Sequence, residues 1–243
     1  MHPILRLTAC VTILWTFSPD RVVGQSVNAV RERTLGARNA PARDVVFTPD
    51  GRFVIAAYVD STITFWSVQD GRAVRTLRQP ALLAAMTLSA DGEWLATGSY
   101  DGTVRVWRVQ DGIVVRTLKA HSATVWALAF SSDGRMLATA GEDRLVKTWR
   151  VADGSLLRTM SGHTLNIWTL AFRPGTSELA SGSFDTSVRI WNASAGTPVR
   201  SLTGHTEAVV GLAYSADGAL LATAGDDSRT RIWDSATGSL LRT

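Results

Sequence analysis

The stretch LATGSYDGTVRVW, residues 95–107, ends in a tryptophan that an aspartate precedes by six positions. The same pair returns in four further places, and the tryptophans stand 41, 42, 42 and 42 residues apart by subtraction. These tryptophans are Trp66, Trp107, Trp149, Trp191 and Trp233. A repeat of about 40 to 45 residues ending in an aromatic strand is typical of a propeller blade, which buries its apolar faces only against neighbouring blades. The sequence therefore predicts an all-β array of five blades.

The third repeat shows how one blade is built. TVWALAF (124–130) and RMLATAG (135–141) are runs of β-forming residues joined by the turn SSDG. LVKTWRV (145–151) and SLLRTM (155–160) follow after further short turns. Four short strands in sequence predict a four-stranded antiparallel meander. The copies divide residues 25–243 into repeats of roughly 36–77, 78–118, 119–160, 161–202 and 203–243.

These motifs resemble the repeats of the WD40 family. The resemblance rests on the Gly-His pairs at 162–163 and 204–205, on the SSDG-type turn, and on the strand pair that leads to each tryptophan. The last tryptophan, Trp233, is itself followed by aspartate. The match extends over about 31–243. It implies a β-propeller of four-stranded antiparallel blades that serves as a scaffold for a protein or peptide partner, without a cofactor.

The resemblance also implies a buried, hydrogen-bonded tetrad in each blade, made of a histidine, a serine or threonine, an aspartate and the tryptophan. An indole N–H can only donate, a hydroxyl can accept it and donate on to imidazole, and a carboxylate accepts the last proton, so every buried polar group has a partner. The complete sets are His121, Thr139, Asp143 and Trp149; His163, Ser181, Asp185 and Trp191; and His205, Thr223, Asp227 and Trp233.

Two repeats depart from the tetrad. The second has Gln79 in place of histidine, and the first keeps only Asp60 and Trp66, with Arg38 and Ala56 at the other positions. We therefore expect the first two blades to be less stable, and His163→Ala to cost more stability than Gln79→Ala.

A hydroxyl, a histidine and an aspartate also make up hydrolase triads, so a propeller-type hydrolase is an alternative interpretation. A catalytic set occurs once and exposes its nucleophile, whereas this set recurs at the blade period. We predict that the chain is not an enzyme. A regulatory or sensor fragment of a larger multidomain protein is a further alternative.

In WD40 proteins partners bind the top face, which carries the turn before the first strand and the turn that holds the aspartate. By motif position, that face here includes Arg43, Tyr100, Trp126, Trp168 and Phe184. Aromatic side chains dominate interface hot spots. These five residues are therefore the candidate partner-binding site. The competing interpretation is that the two tryptophans only fill the mouth of the central channel.

The formal charge of +4 comes mostly from arginines that recur with the repeat. They are Arg75, Arg116, Arg158, Arg200 and Arg242 in copies of VRTL, and Arg105, Arg189 and Arg231 two residues before a tryptophan. Charged strands discourage edge-to-edge pairing, so we interpret them as surface charges and expect no nucleic-acid partner. The only cysteine, Cys10, excludes a disulfide framework, and histidines spaced by whole repeats do not suit a metal.

The N-terminal segment resembles a signal peptide. Residues 7–17 are mostly apolar, and small residues follow near 22–24. This apolar run is too short to span a membrane. We predict a signal peptide at 1–24 and export to the periplasm or outside the cell; if the segment is not a signal peptide, the protein would be cytoplasmic. Acylation at Cys10 and a decayed blade around the FSPDRVV that begins at Phe17 are the alternatives.

The strand count does not predict a closed ring. VRERTL (30–35) matches the fourth-strand type, five full sets of four strands follow, and the chain stops on another fourth strand. Most WD40 rings have about seven blades. We expect part of a larger ring, with a strained five-blade ring or an open array as alternatives. An open array would expose apolar blade faces and invite self-association.

Overall fold

The structure is a computed structural model, and it describes residues 40–243. The first blade contains β1 (Ala42–Phe47), β2 (Phe53–Tyr58), β3 (Thr62–Ser67) and β4 (Ala73–Arg78). The second contains β5 (Leu83–Leu88), β6 (Trp94–Ser99), β7 (Thr103–Arg108) and β8 (Ile113–Lys119). The third contains β9 (Val125–Phe130), β10 (Met136–Gly141), β11 (Val146–Arg150) and β12 (Leu156–Met160). The fourth contains β13 (Ile167–Phe172), β14 (Glu178–Ser183), β15 (Val188–Asn192) and β16 (Thr197–Leu202). The fifth contains β17 (Val209–Tyr214), β18 (Leu220–Gly225), β19 (Thr230–Asp234) and β20 (Leu240–Arg242).

Each blade is a separate four-stranded sheet in which consecutive strands pair antiparallel. The predicted all-β fold with five four-stranded blades is thus confirmed, and the four strands expected in the third repeat all form. The SSDG turn between β9 and β10 is closed by a hydrogen bond from the Gly134 N–H to the Ser131 carbonyl at 2.9 Å. Gly134 has a φ of 67°, which glycine adopts without steric cost.

The first strand of every blade carries a β-bulge against the second strand. The register skips one residue in each of these strands, so that residue has no partner across the pair. A bulge bends the strand and redirects the side chain of the extra residue. The skipped residues are Arg43, Ala84, Trp126, Trp168 and Val210. Three of the five predicted partner-binding residues therefore sit on bulges.

The hydrophobic core lies between blades rather than within them. Ala138 and Val146 of the third blade belong to one cluster with Leu179 and Trp191 of the fourth. Leu179 and Trp191 are 0% and 1% exposed. Because a blade buries its apolar faces against its neighbours, one blade alone could not remove its apolar surface from water.

The five blades form an open array. Neighbouring blades pack through their first strands, with β1 on β5, β5 on β9, β9 on β13 and β13 on β17, while the described part of the fifth blade has no comparable packing on the first. Ala180 and Ile190 of the fourth blade are 0% and 3% exposed, whereas Ala222 and Ile232, at the same positions of the fifth, are only half-buried. The outer face of the fifth blade is therefore partly open.

Three predictions concern residues outside the described range. They are the signal peptide at 1–24, the extra strand at 30–35 and the position of Arg38. Between residues 40 and 243 the structure contains no helix, and hence none able to cross a membrane.

Candidate functional site

The structure brings all five predicted partner-binding residues into one continuous row, here called the top-face ladder. The Arg43 guanidinium lies 5.2 Å from the ring centre of Tyr100 and 5.5 Å from that of Trp126. The Tyr100 ring meets Trp126 edge-on at 5.4 Å, and Trp126 stacks on Trp168 at 4.8 Å with 21° between the ring planes. Phe184 completes the row, edge-on to Trp168 at 5.2 Å. Offset-stacked and edge-on pairs at these distances are the favoured aromatic geometries.

Strand bulges and hydrogen-bonded turns hold the ladder in place. Arg43, Trp126 and Trp168 are the bulged residues of β1, β9 and β13. Tyr100 and Phe184 occupy the turns between the second and third strands of their blades. There the Tyr100 N–H donates to the Leu82 carbonyl and the Phe184 N–H to the Asn166 carbonyl, both at 3.0 Å. The backbone of its own blade therefore fixes the position of each residue in the ladder.

The two outer rings of the ladder remain accessible. Tyr100 and Phe184 are 40% and 38% exposed, while Trp126 and Trp168 are half-buried. The loops that face these turns add Leu82 and Leu165, which are 56% and 50% exposed. Together these side chains form an apolar strip across the second to fourth blades, and Arg43 lies at one end of it.

The predicted tetrad residues are hydrogen-bonded in the third, fourth and fifth blades. In the fourth, the Trp191 indole N–H donates to the Ser181 hydroxyl at 2.8 Å, and that hydroxyl lies 2.7 Å from His163 Nε2. His163 Nδ1 lies 2.8 Å from an Asp185 carboxylate oxygen. A proton on Nδ1 gives every group in this chain a donor or an acceptor. The matching distances in the third and fifth blades are 2.7 to 3.0 Å.

Burial shapes both the charge states and the accessibility of the tetrads. Burial lowers the pKa of His163, although its bond to Asp185 acts in the opposite direction, so the imidazole is kept neutral. Burial alone would raise the pKa of Asp143, but the hydrogen bond from His121 and the attraction to it hold that pKa below its usual range. The hydroxyl-bearing residues Thr139 and Ser181 are 0% exposed. A substrate could not reach them as nucleophiles.

The second blade closes its polar chain differently. Gln79, 2% exposed, accepts from the Thr97 hydroxyl at 2.8 Å and donates to Ser99 Oγ at 3.1 Å and to the Ala81 carbonyl at 3.0 Å. The Trp107 indole donates to Thr97 at 3.0 Å, as in a tetrad. Gln79 therefore satisfies the buried hydroxyl by itself. This arrangement removes the reason for expecting Gln79 to matter less than a histidine.

The first blade replaces the missing hydroxyl with a tyrosine. With Ala56 at the usual position, the Trp66 indole N–H donates to the Tyr58 hydroxyl at 3.0 Å. Tyr58 is two residues further along β2, on the same face of the strand, and is 7% exposed. The sequence expectation overlooked it because the motif was read at one fixed position. The alternation of side chains along the strand could have indicated it.

The repeated arginines are not simply surface charges, contrary to the expectation from sequence. Arg75 of β4 donates to the carbonyls of Val109 and Gln110 in the second blade, at 2.7 and 2.9 Å. Arg116, Arg158 and Arg200 reach the corresponding turns of the next blades in the same way. These residues link each blade to its successor.

The third-strand arginines also lie closer to the core than expected. Arg231 is 6% exposed, and its Nη1 lies 2.9 Å from the tetrad carboxylate of Asp227. In the third blade Lys147 takes the corresponding position and donates to the Ala120 carbonyl. Sequence reasoning missed Lys147. The signal was a basic residue two positions before the tryptophan in four of the five repeats.

No group of three or more histidine, cysteine, aspartate or glutamate side chains suited to a metal ion occurs among the described residues.

Comparison with known proteins identifies the family of the repeats. The family described as WD domain, G-beta repeat matches residues 30–67, 71–108, 112–150, 154–192 and 196–234. The structure is similar to that of U3-55K, with a TM-score of 0.79, 24% identity and 86% of this chain covered. It is equally similar to the WD40 repeats of RRP9, again with a TM-score of 0.79 and 24% identity over 86% of the chain. This chain spans 65% and 64% of the lengths of those two structures. The comparison with curated proteins gives no match.

Proposed function

The chain belongs to the WD40 family, and we propose that it is a non-catalytic scaffold that binds a peptide or protein segment on its top-face ladder. WD40 propellers generally serve as platforms for protein partners. At 24% identity, the similar solved structures bear on the fold alone. The proposal therefore depends on the surface of this chain.

One observation carries the proposal: the ladder is an ordered aromatic row with an exposed apolar rim. Aromatic side chains and arginine are the residues enriched at interface hot spots. A rigid row also loses little conformational freedom when a partner binds, which leaves more of the interaction energy for affinity. The tetrads, in contrast, are buried and are assigned to blade stability.

A double variant tests this function. Trp126→Ala with Trp168→Ala removes the centre of the ladder, and Ile113→Ala with Val114→Ala removes two exposed apolar side chains from the outer strand β8 as a matched control. We expect chemical cross-linking and affinity capture from the source organism to recover specific partners with wild type and with the control. The ladder variant should recover few or none while keeping its β-sheet circular dichroism. Equal recovery by a folded ladder variant would exclude the proposed surface.

A further inference from the structure

Arg43 is held in an unusual way for an arginine of this chain. The bulge in β1 directs it across the second blade, where its Nε donates to the Ala84 carbonyl at 3.1 Å. Ala84 is the bulged residue of β5, so its carbonyl lies outside the regular ladder of strand hydrogen bonds. Its methyl side chain also leaves room for Arg43 to pass and reach Tyr100 and Trp126. One hydrogen bond and two aromatic rings thus fix the guanidinium.

Among residues 40–243 the terminal nitrogens of this fixed guanidinium form no salt bridge, although Asp44 is near enough to Arg43 for the two charges to attract. Other arginines pair with nearby carboxylates, as Arg108 does with Asp111 at 2.7 Å and Arg173 with Glu178 at 2.8 Å. Within residues 40–243, the only hydrogen bond from the Arg43 side chain is the one from Nε. The neighbouring Asp44 uses its two oxygens for the backbone N–H groups of Val45 and Met86. The two terminal nitrogens of Arg43 therefore remain available as donors.

We propose that Arg43 binds a side-chain carboxylate of the partner, so that the ladder selects a peptide with an aspartate or glutamate close to apolar residues. This inference rests on the proposed function and specifies its ligand. A guanidinium offers parallel N–H donors that match a carboxylate, and aromatic contacts keep them oriented. The apolar residues of the peptide pack on Tyr100, Phe184 and their leucine rim.

The geometry also limits the spacing within the peptide. Neighbouring side chains of the top-face ladder lie 4.8 to 5.5 Å apart, measured between ring centres or from the Arg43 guanidinium carbon to a ring centre. An extended chain advances about 3.3 Å per residue, so a segment of roughly four or five residues covers the distance from Arg43 to Phe184. The acidic residue binds at the first-blade end. At the third blade the exposed Glu142 occupies the turn position of Tyr100 and repels a second acid.

A cationic side chain fits this surface less well. Arg43 already lies over one face of Tyr100 and one face of Trp126, where a lysine or arginine would otherwise be attracted. A second cation there would meet a like charge at close range. The observed cation–π contacts therefore favour an acidic peptide over a basic one.

A phage-displayed library of random octapeptides tests the inference. Selection is carried out on wild type, on Arg43→Gln, on the Trp126→Ala, Trp168→Ala variant, and on Arg135→Gln, an exposed arginine elsewhere, as the matched control. Peptides selected by wild type should be enriched in Asp or Glu at one position, with apolar residues within about four positions of it. Arg43→Gln should lose the acidic enrichment and keep the apolar one.

Synthetic peptides from the selection then give a double-mutant cycle. Loss of a charge-assisted hydrogen bond should weaken binding to wild type about tenfold when the acid is replaced by its amide, and Arg43→Gln should weaken binding of the acidic peptide by a similar factor. On Arg43→Gln the same amide exchange should change affinity less than about twofold. Peptides selected without an acid, or with lysine or arginine in its place, would overturn the assignment of Arg43 and leave the scaffold function standing. Selection no stronger on wild type than on the double tryptophan variant would overturn both.

Discussion

The sharpest stability prediction compares His163 in the buried polar chain of the fourth blade with Gln79 in that of the second. His163→Ala removes an imidazole whose side chain is 0% exposed and takes away the partner that lies 2.7 Å from the Ser181 hydroxyl. That hydroxyl keeps the Trp191 indole as a donor, and Asp185 keeps other donors, among them the Thr164 N–H. The lost buried hydrogen bonds and the cavity left by the ring should together cost about 3 kcal/mol. Gln79→Ala removes the amide that is hydrogen-bonded to the Thr97 and Ser99 hydroxyls and leaves a cavity of similar volume. The free energy of unfolding should therefore fall by an amount within about 1 kcal/mol of the loss caused by His163→Ala.

The measurement is chemical denaturation followed by tryptophan fluorescence. Substitutions of two aspartates, one inside a tetrad and one outside any tetrad, serve as controls for the buried hydrogen-bonded chain. Asp185 lies in the tetrad of the fourth blade, whereas Asp101 is exposed and bonds only to Thr103 among the described residues. Asp185→Ala should cost about 2 kcal/mol and Asp101→Ala less than about 1 kcal/mol. If Gln79→Ala unfolds like wild type, glutamine does not replace histidine in the second blade; if His163→Ala does so as well, the tetrad has no stabilising role.

Three further predictions concern charge and surface. Burial raises the pKa of Asp44 from 3.8 to about 6, so the folded protein binds a proton there more tightly than the unfolded chain does. The stability of wild type relative to Asp44→Asn should therefore fall by up to about 3 kcal/mol from pH 4 to pH 7.5, measured by denaturation at each pH. A stability difference that does not change with pH would refute this. Arg200→Met loses hydrogen bonds to the Ser235 and Ala236 carbonyls and should cost about 2 kcal/mol in chemical denaturation. Arg242→Met, which replaces an exposed arginine on β20, should be neutral in the same assay. The fifth blade exposes 39% of Leu220 and 52% of Leu241, so light scattering should show self-association that Leu241→Lys reduces; a monomer at every concentration would contradict it.

The repeat could be predicted from sequence because its physical signals are local. Glycine-containing turns, runs of β-formers and the aspartate-to-tryptophan spacing each depend on residues only a few positions apart. The tetrads followed from the family resemblance, since His121, Thr139, Asp143 and Trp149 keep the same spacing as their counterparts in the next two blades. These features recur because every blade meets the same packing requirement.

Contacts between blades were harder to predict. The direction of the Arg75 side chain depends on where the turn at Val109 and Gln110 lies after the second blade has packed. Burial of Arg231 depends likewise on the fold of the whole fifth blade. A regular spacing of arginines shows that they share an environment. It does not show whether that environment is solvent or a neighbouring blade.

The ladder combines both kinds of information. The five bulged positions are set by the repeat, but their side chains differ: arginine, alanine, two tryptophans and valine. The small Ala84 lets Arg43 cross the second blade, and the adjacent Trp126 and Trp168 are close enough to stack only because successive blades place their bulges side by side. A repeat with identical residues at these positions would present the same chemistry in every direction. The proposed recognition of one peptide orientation would therefore depend on the residues by which the blades differ, which are held in a backbone frame that the blades share.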